Sequence, residues 1–147
     1  MRPIATLSSF RRLPPARRRS VVRAALLVPL VRAGLWLLPY GRLKALVARA
    51  PAVAGGHGVD ERVRDVTWAV AAVARRVPRA TCLTQALVAQ RLLADDGVDT
   101  TLRLGVARDA AGAFEAHAWL EHRGRIVLGE VDGMERFTTL EHGDGAA

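Results

Sequence analysis

Between residues 60 and 77 valine returns at 63, 66, 70, 73 and 77, in steps of three and four that place one apolar stripe on a helix. Asp60 is positioned to cap its start, and Pro78 to stop it near Val77. A second helix is predicted to begin at Thr81 or Cys82, with Leu83, Ala86, Leu87, Gln90 and Leu93 towards one side and Gly97 as its C-terminal cap. After Gly97 the period drops to two. "TTLRLGVA" and "FEAHAWLE" alternate, "RIVLGE" is a third β-like run, and "RFTTL" is a short fourth. Upstream, residues 20–50 read as one or two helices broken at Pro39 in "PYGR", and 51–59, centred on "PAVAGGHG", as a linker. Helices followed by an antiparallel sheet define an α+β fold. The chain therefore divides into a basic N-terminal tail with helices (1–50), the linker (51–59) and an α+β domain (60–147).

Charge adds a second division. Residues 1–50 hold eleven of the 22 Lys and Arg and none of the 14 Asp and Glu, so the net charge of +8 belongs to the N-terminal third. Because the rest is slightly acidic, a basic total does not imply nucleic-acid binding, and none is expected. It implies an arm that meets an anionic neighbour, such as a partner, an acidic peptide or an anionic membrane surface. Residues 1–19, rich in Arg and Pro, read as a mobile lead-in. The apolar run "AALLVPLV" is only eight residues long before Arg32, lacks a small-residue cleavage pattern and is followed by a second apolar run, so no secretory signal is expected. Val21–Leu38 is interrupted by Arg23, Pro29 and Arg32, which argues against a membrane span and leaves an interfacial helix open. A single cysteine forms no internal disulfide, and a reducing, cytoplasmic setting is the simplest expectation, with membrane association through the basic arm as an addition to it.

That cysteine, Cys82, stands at a predicted helix start, where unpaired backbone N–H groups and the helix dipole favour a thiolate. A base is needed as well. His117 lies in a well-patterned strand whose alternation puts Glu115, His117, Trp119 and Glu121 on one face. If the next hairpin turns on Arg123-Gly124 through a two- or four-residue loop, Glu121 opposes Ile126, Trp119 opposes Leu128 and His117 opposes Glu130. Side chains so paired have Cβ atoms about 4.5–5.5 Å apart, close enough for Glu130 to orient the imidazole. Asp132 lies diagonally on the same face and is the alternative acid. A three-residue loop would instead bring Gly129 or Val131 opposite. The four histidines, His57, His117, His122 and His142, show no metal-ligand spacing with the cysteine, and "GGHG" has neither the strand nor the following Lys-Ser/Thr of a phosphate loop, so no metal or cofactor is expected.

The run "RVPRATCLTQALVAQRLLADDGVDTTLRLGVAR" followed by "FEAHAWLEHRGRIVLGE" resembles the stand-alone leader peptidases of lasso peptide biosynthesis, within the transglutaminase-like cysteine protease superfamily. The likeness is close over about residues 60–142, and "LLPYGRLKALVA" resembles the helical N-terminal part of such proteins. It implies a transglutaminase/papain-like core, with the nucleophile helix packed on a small antiparallel sheet and preceded by N-terminal helices. It also implies a Cys-His-acid triad of Cys82, His117 and Glu130 or Asp132. The backbone N–H of Cys82 would serve as oxyanion donor, with Gln85 or Trp68 in support. Further implications are a precursor peptide cut at its leader–core junction, a small winged-helix leader-recognition protein, an ATP-dependent cyclase, and no cofactor. Two other readings share the same residues. One is an amine-acylating transglutaminase or amidase, because a thioester is open to amines as to water. The other is a non-catalytic scaffold whose basic helices bind a membrane or a partner and whose Cys82 is structural.

Overall fold

The computed structural model describes residues 7–47 and 58–140. Five helices come first: α1 (Leu7–Arg11), α2 (Pro15–Leu37), α3 (Tyr40–Val47), α4 (Val59–Ala74) and α5 (Cys82–Asp95). Four strands follow, β1 (Thr101–Arg108), β2 (Phe114–His122), β3 (Arg125–Leu128) and β4 (Thr138–Thr139), with a 3-10 turn at Met134–Arg136 before the last. They form one antiparallel sheet in the order β3-β2-β1-β4. Most of the expected linker, 51–57, lies outside the described residues, as do His57 and His142.

Apolar stripes decide how the layers stack. Ala24, Val28 and Val31 of α2, the α4 valines Val63, Val66 and Val70, and Leu87, Val88, Leu92 and Leu93 of α5 close one core, sealed on the sheet side by Leu120. α5 is buried along most of its length because it lies against both the helices and the sheet. Over residues 7–19 the expected mobile lead-in is α1, a turn and the start of α2, and α2 is built into this arrangement; residues 1–6 lie outside the described residues. Pro15 suits the first turn of α2, where its missing N–H costs nothing. Arg17 then pairs with Asp65 of α4 at 2.9 Å, and Arg23 with Asp96 beyond α5 at 2.9 Å. Arg23, Pro29 and Arg32 do not keep α2 from being long and apolar enough, by length and composition, to cross a membrane.

The helix ends show which local signals the chain obeys. α4 starts one residue before Asp60, on Gly58 in the left-handed region, so Asp60 sits in the first turn instead of capping it. α5 starts where Thr81 caps it, its hydroxyl accepting the Thr84 N–H at 3.3 Å. At its other end Gly97 has φ +78, Gly97 N–H donates to the Ala94 carbonyl, and Val98 N–H donates to that of Leu93. This is a Schellman closure, with Val98 buried in the core. Thr81→Ala is expected to destabilise the domain by about 1 kcal/mol, read as a lower urea midpoint with unchanged slope.

The β2–β3 hairpin turns on two residues with positive φ, Arg123 at 50° and Gly124 at 75°, which is the type I′ geometry that a two-residue loop favours. The expected register holds through His122↔Arg125 and Glu121↔Ile126. A bulge then intervenes, and Leu128 pairs with Leu120 rather than Trp119. The extra residue, Val127, shifts β3 by one position and so turns Leu128 to the core side, where Val127 and Leu128 both pack. The ladder ends there. His117 is consequently not paired with Glu130, which lies beyond the strand and is exposed.

Candidate active site

Cys82 is the first residue of α5 and is half-buried. Thr81 fixes the helix start, so the backbone N–H groups of Cys82 and Leu83 fall in the first turn, where no intrahelical carbonyl reaches them. Thr84, fully buried on the next step, closes the turn through its own N–H. Gln85 follows one turn after the thiol, its backbone N–H held by the Thr81 carbonyl at 3.1 Å.

His117 is held on three sides. Its Nε2 lies 2.5 Å from the carbonyl oxygen of Gly129. A carbonyl only accepts, so Nε2 carries the proton, and Nδ1 is the basic nitrogen of the neutral ring. The imidazole stacks on Trp119, with ring centroids 6.1 Å apart and planes inclined by 22°, and Phe137 approaches at 5.4 Å. Trp119 is in turn fixed, its indole N–H donating to Glu121 at 2.9 Å while Arg103 holds the second oxygen of that carboxylate at 3.3 Å. Gly105 makes room for this stack. A Cβ there would lie 2.7 Å from the Trp119 ring and 3.0 Å from Phe137.

The expected acid residues are placed differently from the hairpin arithmetic. Gly129 supplies, from its backbone, the contact expected of the Glu130 side chain, and it does so in a left-handed conformation at φ +90. Glu130 and Asp132 are both exposed and make no hydrogen bond or ion pair among the described residues. The β2 alternation puts His117 with Trp119 and Phe137 in one cluster, while Leu120 joins the helical core that contains α5. No hydrogen bond joins Cys82 to His117 among the described residues. Trp68 lies on α4, partly exposed beneath the Arg17 guanidinium at 4.9 Å. It lines an open groove of about 480 Å³ with Arg17, Arg64 and Thr67 on one side and the stretch from Ile126 to Glu130 on the other. Gly129, whose carbonyl holds His117, is among its lining residues, and Cys82 and His117 are not. Among the described residues no group of three or more His, Cys, Asp or Glu is placed to hold a metal ion.

Trp119, Glu121 and Arg103 were within reach of strand alternation and cross-strand pairing, since Arg103 stands opposite Trp119 in the β1–β2 ladder. Phe137 and the Gly129 carbonyl were not. The first arrives through a loop and a 3-10 turn, and the second is a backbone atom positioned by a bulge.

A cysteine at the start of a helix and a histidine on an antiparallel strand are the kinds of nucleophile and base that cysteine-based acyl transfer uses, although the two side chains are not in contact here. The family profile of the Transglutaminase-like superfamily matches residues 24–142, and the chain belongs to that superfamily, which includes cysteine peptidases and transglutaminases. The matched region starts inside α2, in keeping with the packing of that helix against α4 and α5. Searches of curated proteins and of solved structures return no significant match.

Proposed function

We propose that this chain is a cysteine endopeptidase that removes the leader from a ribosomally made lasso peptide precursor, in the cytoplasm, together with a separate winged-helix leader-recognition protein and ahead of an ATP-dependent cyclase. The observation that carries the reading is Cys82 as the first residue of α5 in a transglutaminase-like domain, with backbone N–H groups left over at the helix start.

In this reading Nδ1 of His117 takes the Cys82 proton, and the thiolate attacks the scissile carbonyl. The Cys82 N–H steadies the oxyanion, with Gln85 one turn away in support. His117 returns the proton to the departing amine, and water then hydrolyses the thioester. For that transfer the His117 ring, which sits with Trp119 and Phe137 on the β2 face opposite Leu120, has to reach the Cys82 thiol. The Gly129 carbonyl keeps the tautomer. The triad acid of this reading is Glu130 or Asp132 on the exposed segment after Gly129, and neither pairs with His117 in this structure. The open groove beside Trp68 offers a path for an extended peptide towards Gly129.

The test is mass spectrometry of a mixture of precursor, recognition protein and this chain in H₂¹⁸O. Release of intact leader carrying one heavy oxygen at its new carboxylate is the expected result. Leader appearing as the amide of an added primary amine, with no hydrolysed product, would assign the chain to amine acylation instead.

A further inference from the structure

One surface has no part in the chemistry at Cys82. The side of α2 opposite Ala24, Val28 and Val31 exposes an apolar stripe: Val22 is 50% exposed, Leu26 and Leu30 65% each, Trp36 80% and Leu37 70%. On the helical repeat these positions, with Pro29 and Ala33 between them, fall along one side of a rod roughly 35 Å long. Such a stripe on a soluble monomer marks a contact surface. On α3, past Pro39, Leu46 is also exposed, at 68%.

The charges around it say what it meets. Arg17 and Arg23 are turned inward, to Asp65 and Asp96. Arg11, Arg12 and Arg19 stand exposed at one end and Arg42 at the other, and none of the four makes an ion pair or side-chain hydrogen bond among the described residues. No acidic residue occurs anywhere in the first fifty positions. Exposed leucines and a tryptophan along α2, flanked by unpaired arginines on α2 and on the segments before and after it, are the composition that lies in the headgroup region of an anionic bilayer.

We infer that the outer face of α2 docks this protein onto an anionic phospholipid surface, with the helix lying in the plane of the interface. Its length and apolarity would also suit a span, but the inner face is committed to the core, and crossing would break the pairs of Arg17 and Arg23 and strip Val66 and Leu87 of cover. The docked helix keeps those contacts and buries only what is already exposed. The docking is independent of whether Cys82 is a nucleophile.

The experiment is flotation of the full chain with vesicles of phosphatidylcholine alone or of phosphatidylcholine mixed with phosphatidylglycerol. The chain is expected to float with the mixed vesicles, to lose this at high salt, and to show a shift of Trp36 emission to shorter wavelength that is absent in Trp36→Phe. Arg11→Gln/Arg12→Gln/Arg19→Gln together should weaken partitioning on the order of a hundredfold, and the three Arg→Lys changes should retain it. Leu26→Gln/Leu30→Gln should weaken it at least about tenfold with an unchanged circular dichroism spectrum, since both side chains are largely exposed. Binding that is indifferent to the leucine pair overturns the inference. So does failure to float with the mixed vesicles, and a concentration-dependent dimer removed by the leucine changes would then give the face to a second copy of the chain.

Discussion

Cys82→Ala is expected to leave the precursor uncut, a loss of at least about a thousandfold in kcat/KM, while the thermal midpoint moves by only a few degrees. The two readouts separate for a structural reason. The thiol is half-buried at the first position of a helix whose start is fixed by Thr81, so its removal opens little space and disturbs no cap. A buried structural cysteine would behave in the opposite way, with stability falling and no activity at stake. Discontinuous assay of leader release alongside calorimetry distinguishes them. Cleavage that survives the substitution would refute the assignment of Cys82 as nucleophile.

The second large effect is expected at Gly129. Its φ of +90 is a conformation that L residues adopt at a cost, and a Cβ there would lie 2.8 Å from the Ala118 carbonyl and 3.0 Å from the Trp119 backbone. Gly129→Ala should therefore destabilise the domain by about 2–4 kcal/mol, a fall of roughly 5–15 °C in Tm. It should also lower kcat in the protein that remains folded, because relief of the clash moves the carbonyl away from His117 Nε2. Gly112→Ala is the matched control, with φ +81 but nothing within 4 Å of the added methyl group. It should show the conformational cost alone and normal kcat. Equal behaviour of the two variants would mean that the Gly129 carbonyl does not position the histidine.

The contrast between these residues also marks what was legible in the chain. The α5 helix could be read at both ends, since Thr81 and Gly97 act through hydrogen bonds a few residues away. The strands and the Arg123-Gly124 turn were equally local. The site was not. Two-residue alternation carried from Arg125 predicts Glu130 opposite His117, and the bulge at Val127 cancels it because the core accepts Leu128 beside Leu120. That preference is set by side chains on α4 and α5, far from β3 in sequence. The N-terminal arm shows the same limit. Arginines on a Pro-rich stretch look solvated until Asp65 and Asp96 are placed against them, and only the fold brings those carboxylates to α2.

The sheet has a further property in how it ends. Its two edge strands are short, four residues in β3 and two in β4, and β3 carries an arginine in the strand, another in its turn and an extra residue that bends it. A straight run of unpaired N–H and C=O groups is what lets one molecule add its strand to the next. Each edge strand covers only part of its neighbour, β4 pairing with Gly105 and Val106 of β1 and β3 with Leu120, Glu121 and His122 of β2. The short, bent β3 and the two-residue β4 thus offer little backbone of their own for self-templating, while large apolar side chains stand exposed on α2.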